Sequence, residues 1–155
     1  MPNLGYEEFE SRWIDHTDLR DVVRRESVGK ILNFPCGQSP IGDVRADVDP
    51  SNNPDVVADL RNPPFSRGEF DTVYCDPPYS MFDFGESLEW VKELYRIADK
   101  RLIIQGPNKA VRVGAPSEQK LLALKPKPGS TKHWVRMIQI FTHPNRCLTD
   151  YSNDP

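Results

Sequence analysis

Five times between residues 30 and 107, a short run rich in apolar residues stops at a proline. Lys30-Ile31-Leu32-Asn33-Phe34 ends at Pro35, and Asp43-Val44-Arg45-Ala46-Asp47-Val48-Asp49 ends at Pro50. Asp55-Val56-Val57-Ala58-Asp59 is closed by Asn62-Pro63-Pro64. Phe70-Asp71-Thr72-Val73-Tyr74-Cys75 runs into Asp76-Pro77-Pro78-Tyr79, and Arg101-Leu102-Ile103-Ile104-Gln105 stops at Gly106-Pro107. Proline has a fixed φ and no N–H, so it ends a hydrogen-bonded ladder. The pattern predicts five short strands, several of them ending in an acidic residue. Strands alternating with connections in this way predict an α/β sheet that takes ligands at the strand carboxyl ends.

Two helices fit between and before the strands. Thr17-Asp18 ahead of Leu19, Val22 and Val23 predicts a capped amphipathic helix ending near Ser27. Leu88, Val91, Leu94, Tyr95 and Ala98 recur at three- and four-residue spacing, which predicts a helix from about Gly85 to Ala98. His133 to Phe141 reads as a final strand. Residues 108–130 are basic and rich in Pro and Gly, so they are expected as loop with at most a helical turn near Glu118–Leu122. The stretch 35–42 is too short to hold a normal helix.

The tetrapeptide Asp76-Pro77-Pro78-Tyr79 carries the sharpest chemistry. Two successive prolines remove two donors and hold the backbone rigid, leaving the Asp76 carboxylate and the Pro77 carbonyl as paired acceptors. Such a pair suits an exocyclic amine on a planar base, and the Tyr79 ring can stack on that base, a contact worth about 1–3 kcal/mol. Taken alone, the four residues are equally compatible with an ordinary proline turn. Asn62-Pro63-Pro64-Phe65 echoes the tetrapeptide one strand too early and reads as a turn.

With these strand ends in order, the chain resembles the Rossmann-like, class I S-adenosylmethionine-dependent methyltransferases, in particular the DPPY-type enzymes acting on adenine N6. The resemblance covers roughly residues 29–106. It implies a mostly parallel central sheet with an antiparallel last strand and reduced helices in a single compact domain. It also implies S-adenosylmethionine as cofactor. By this likeness Asn33, Phe34, Pro35, Cys36 and Gly37 form the loop under the methionine moiety, and Asp47 with Val48 meets the ribose. Asp59 with Leu60 meets the cofactor's adenine, and Asp76, Pro77, Pro78 and Tyr79 hold the target amine. Asn33 stands where the family usually has an acidic residue, and the usual Gly-x-Gly is only Cys36-Gly37-Gln38-Ser39.

The expected division is 1–28 as a helical lead-in, 29–106 as cofactor and reaction core, 107–132 as a basic loop and 133–142 as the final strand. No separate target-recognition domain is expected within these residues. The formal net charge of −3 conceals a segregation, because residues 100–136 hold nine Lys or Arg against only Glu118. Lys109, Arg112, Lys120, Lys125, Lys127 and Lys132 are the expected nucleic-acid contacts, since a basic segment favours a polyanion. A solvated basic loop is the equally weighted alternative. The function expected is methyl transfer to an exocyclic amine, adenine N6 in DNA, with target recognition through the 107–132 loop, a second copy or a partner subunit. The rivals are an RNA adenine-N6 or guanine-N2 methyltransferase and a non-catalytic, methyltransferase-like nucleic-acid-binding subunit.

The three cysteines (Cys36, Cys75, Cys147) and three histidines show no metal spacing, so no metal is expected. No apolar run approaches the roughly 20 residues needed to span a bilayer. Met1 to Glu8 lacks the features of a secretory signal, so the expected location is cytoplasmic.

Overall fold

A computed structural model describes residues 13–14, 19–82, 88–107, 111–113, 117–124 and 136–143. In chain order its elements are β1 (Trp13–Ile14), α1 (Leu19–Glu26), β2 (Ile31–Asn33), β3 (Val44–Asp47), β4 (Val56–Val57), β5 (Phe70–Cys75), α2 (Glu89–Ile97), β6 (Ala98–Gly106), β7 (Glu118–Leu124) and β8 (Arg136–Thr142). Short 3-10 turns occupy Pro50–Asn52 and Tyr79–Phe82.

One sheet runs through the molecule in the order β1-β7-β8-β6-β5-β2-β3-β4. The pairs from β4 to β6 are parallel, and β8 is antiparallel to both β6 and β7. The expected α/β class, with a mostly parallel sheet and an antiparallel last strand, is the one observed. Successive strands β2, β3 and β4 step outward on one side, and the chain then returns to place β5 on the other side of β2. The connections on the two sides therefore diverge above β2 and β5, which opens a crevice at their carboxyl ends.

β5 is buried at every position except Asp71, as a central strand covered on both faces must be. On one face α2 contributes Trp90, Val91, Leu94, Tyr95 and Ile97, which pack on Leu32, Val73, Cys75, Leu102 and Ile104. Each such side chain contributes roughly 1.5–3 kcal/mol relative to exposure. On the other face Val22 and Val23 of α1 pack with Tyr74, Ile103, Ile138 and Ile140.

The connections β2–β3, β3–β4 and β4–β5 contain no α-helix. Loop side chains fill the space instead. Phe65, in the Asn62-Pro63-Pro64-Phe65 turn, meets Phe34 edge-on at 5.9 Å and Phe70 at 5.3 Å. On the opposite face Arg45 takes over the tying role. Its guanidinium donates to the carbonyls of Ser39, Gly37, Asn53 and Asn52, at 2.8, 2.9, 3.0 and 3.4 Å. A single cation thus binds the two loops that flank β3.

Two expectations need correction. Glu118–Leu124 is a strand of seven residues, not loop or helical turn. It forms because β8 offers it a complete antiparallel ladder, from Glu118↔Thr142 to Leu124↔Arg136. The helix expected from Gly85 is seen over Glu89–Ile97, and Ala98 already belongs to β6. The start of the expected last strand, residues 133–135, lies outside the described residues. Among those described, no helix is long and apolar enough to cross a membrane.

Candidate active site

The crevice at the carboxyl ends of β2 and β5 holds a cleft of about 720 Å³. That is within the range of small-molecule and cofactor sites. One arm is built on β2 and β3. Phe34 N–H donates to the Tyr74 carbonyl at 2.9 Å, and Cys36 N–H donates to the Ala46 carbonyl at 2.9 Å, so the loop after β2 is laced to both neighbours. The Phe34–Pro35 peptide is cis. Gly37 has φ +50°, and a Cβ built on it would meet nothing within 4 Å.

Asp47 closes this arm from below. It is 5% exposed, and its carboxylate accepts the Gly37 N–H at 2.7 Å and the Asp49 N–H at 2.9 Å. Each oxygen takes one donor and keeps lone-pair capacity for another. Asn33 is 1% exposed, and its amide donates to the Ile41 carbonyl at 3.0 Å. Its Oδ1 is buried with no hydrogen-bond partner. Val48, beside Asp47, is 63% exposed on the cleft wall. Asp59 accepts the Arg61 N–H at 2.8 Å and faces the same space, with Leu60 buried behind it. Asp49 instead caps the turn at Ser51 and does not line the cleft, and Asp43 accepts the Ile31 N–H at 2.8 Å.

The other arm is the tetrapeptide. The 3-10 turn that follows it buries Met81 and Phe82, and Phe82 packs edge-on against Trp90 at 5.5 Å. Gly106 at the end of β6 allows that approach, since a Cβ there would lie 2.9 Å from the Phe82 ring. The anchored turn leaves Tyr79 44% exposed at the cleft. Asp76 opens into the cleft, yet protein atoms crowd its carboxyl. Burial raises its pKa to about 6, with the Arg136 charge opposing the rise. Burial also raises Tyr79, again opposed by Arg136. Tyr74 beneath them donates its hydroxyl to Gln105 Oε1 at 2.9 Å, and burial holds that phenol well above its ordinary range.

Asn33, Phe34, Pro35, Cys36, Gly37, Asp47, Val48, Asp59, Leu60, Asp76, Pro77, Pro78 and Tyr79 all line this one cleft. The basic residues are a different matter. Lys109, Lys125, Lys127 and Lys132 lie outside the described residues. Arg112 is exposed, between the buried Val111 and Val113. Lys120 is a correction to the expected basic loop, because it sits on β7 with its ammonium 2.9 Å from Glu26 Oε1. Glu26 is 7% exposed and also faces Arg101, so Lys120 answers a buried carboxylate.

Arg136 was not among the expected site residues. It lines the cleft, with its guanidinium carbon 5.9 Å from the Tyr79 ring centroid. A signal for it existed in the sequence. If the last strand is antiparallel, its first residues must lie at the end of the sheet where the parallel strands finish.

Neither the protein-family models nor the curated proteins contain a match to this chain. Solved structures do. A protein from Pyrococcus horikoshii aligns with TM-score 0.56 at 13% identity, covering 81% of this chain and 88% of that one. A TehB-like SAM-dependent methyltransferase from Corynebacterium glutamicum aligns with TM-score 0.52 at 20% identity, covering 86% and 90%. Magnesium protoporphyrin IX methyltransferase from Synechocystis, solved with bound SAM, aligns with TM-score 0.51 at 17% identity, covering 83% and 80%. The chain has the class I methyltransferase fold. Within that fold the cleft occupies the crevice where the strand order reverses, and both of its arms come from adjacent strands.

Proposed function

We propose that this chain is an S-adenosylmethionine-dependent methyltransferase whose target is an exocyclic amine of a nucleic-acid base, adenine N6 in DNA. The observation that carries the reading is the continuity of the cleft, which joins Asp47 and Asp59 on one arm to Asp76-Pro77-Pro78-Tyr79 on the other. The residues present fit the cofactor. The unpartnered Asn33 Oδ1 is an acceptor for an ammonium group, and the spare lone pairs of Asp47 suit ribose hydroxyls. Exposed Val48 offers an apolar wall to a flat ring, with Asp59 beside it for an exocyclic amine. Open space at Gly37 lets a ligand approach the backbone. When bound, the cofactor supplies an electrophilic methyl carbon on a sulfonium.

The chain's own residues do the rest by position. The Asp76 carboxylate and the Pro77 carbonyl accept the two N–H bonds of the amine and so aim its lone pair. Tyr79 stacks on the base. A carboxylate with pKa about 6 is ionised at neutral pH, yet basic enough to receive the proton that the amine gives up and pass it to solvent. A target within a duplex must be flipped out of the stack to reach this depth. Arg112 and the lysines at 109, 125, 127 and 132 serve as backbone contacts on this reading.

The test is transfer from labelled S-adenosylmethionine to duplex DNA, single-stranded DNA and bulk RNA in parallel, with Asp76→Ala as control. N6-methyladenine in DNA, lost in the variant that still binds cofactor, is the expected result. Label confined to RNA moves the substrate to RNA. Full activity in Asp76→Ala refutes the mechanism. No label and no cofactor binding leaves the non-catalytic subunit.

A further inference from the structure

Each arm of the cleft carries a cation as well as a carboxylate, Arg61 next to Asp59 on one and Arg136 on the other. Asp47 and Asp59 stand at one end, while Arg136 stands at the other beside Tyr79 and Asp76. None of the ion pairs among the described residues includes Arg136. It is exposed, and it is the first residue of β8, paired to Leu124, so its backbone is fixed by the sheet. A cation held on a strand, in contact with Tyr79 and near Asp76 but locked into none of those ion pairs, keeps donors for a ligand's anion.

We propose that Arg136 grips a phosphate of the nucleotide whose base rests on Tyr79, and so makes this site select a phosphodiester-linked base over a free base or nucleoside. The inference rests on the reading of the tetrapeptide as the target-amine site. The guanidinium carbon lies over the Tyr79 ring, 5.9 Å from its centroid, so a group gripped by Arg136 is held next to the base that Tyr79 receives. A fixed guanidinium suits this task better than an ammonium, because its planar fork matches phosphate oxygens bidentately. Arg136 also acts on the groups around it. Its charge favours the ionised forms of Asp76, Tyr79 and Tyr74, while the neighbouring Cys75 is wholly buried. A purely internal role would therefore show in the pH profile, and a phosphate contact would show in the salt dependence.

The experiment compares wild type, Arg136→Gln and Arg136→Lys, using a fluorescent adenine-containing oligodeoxynucleotide, its RNA counterpart and deoxyadenosine. Binding is measured as a function of salt, and transfer is measured separately. Arg136→Gln should weaken oligonucleotide binding about tenfold and lower the slope of log K against log salt by about 0.7–0.9, the signature of one lost phosphate contact. Compared at about pH 8, above the acid limb, the loss on deoxyadenosine should be clearly smaller than the loss on the oligonucleotide, and Arg136→Lys should recover part of the slope but less of the affinity. A slope unchanged in Arg136→Gln, or equal losses on oligonucleotide and deoxyadenosine, overturns the proposal. A reduced slope without methyl transfer by wild type would sink the methylation reading and leave the phosphate contact standing. Failure of wild type to bind either oligonucleotide ends both. The DNA and RNA arms identify which phosphodiester is gripped.

Discussion

Replacing Asp76 by Asn should stabilise the protein while stopping transfer. The folded state raises the Asp76 pKa from 3.8 to about 6 because burial disfavours its charge. At about 1.4 kcal/mol per unit, that difference has a ceiling of roughly 3 kcal/mol. The carboxyl faces an open cleft where water screens it, so the expected cost of the charge is about 1 kcal/mol. That corresponds to about 2–4 °C in Tm for a chain of this size. The sign follows from proton linkage. Below about pH 4 both folded and unfolded Asp76 are protonated, and Asp costs nothing relative to Asn. Between about pH 4 and 6 the unfolded chain has released this proton and the folded chain has not, so wild-type stability falls as pH rises. Above that window the cost is constant. Thermal melts of the two proteins across about pH 4 to 8 should show the Asn variant drawing ahead through this window and staying ahead. A variant that melts lower at pH 8, or a gap independent of pH, would refute the claim that burial sets this carboxyl.

Other outcomes follow from the same structure. Transfer by the wild type should show an acid limb with a midpoint at about pH 6 in kcat/KM, and Arg136→Gln should move that midpoint upward by removing the opposing charge. Gly37→Ala should cost about 1 kcal/mol of stability at φ +50° but weaken cofactor binding at least tenfold in calorimetry, because the added methyl enters the cleft. Glu26→Ala should cost about 2 kcal/mol in denaturant unfolding, since it removes the buried carboxylate that Lys120 and Arg101 both face. Gly106→Ala should displace the Phe82 ring, lying 2.9 Å from the new methyl, and lower kcat with little effect on cofactor affinity.

Much of the arm built on β2 and β3 was readable as strand ends because its signals are local. Pro35, Pro50 and Pro77 mark strand ends wherever the chain goes, while the choice of Asp47 over Asp43 and Asp49, and of Asp59, came from the resemblance. β7 was not readable, and the reason lies in its composition. Glu118-Gln119-Lys120-Leu121-Leu122-Ala123-Leu124 is made of good helix formers, and only the ladder offered by β8 turns it into a strand. β1 is two residues paired to β7, too short to leave a pattern. The Arg45 clamp escaped notice for a related reason. Its four carbonyl partners come from two loops that meet only after β3 and β4 have paired.

The loss of crossover helices also has a kinetic side. β2 and β3 are joined by residues 34–43 alone, and each halving of a connection lowers its closure cost by about 0.6 kcal/mol. The strands beneath Asp47 are therefore neighbours in sequence as well as in space. β1, by contrast, reaches β7 across most of the chain, pairing Trp13 with Ala123. Such distant pairings form late and open early. Amide exchange should accordingly be slower at Asn33 and Ala46 than in the β1–β7 pair, so that the floor of the cleft keeps its shape while the far edge of the sheet, beyond the strand bearing Arg136, opens first.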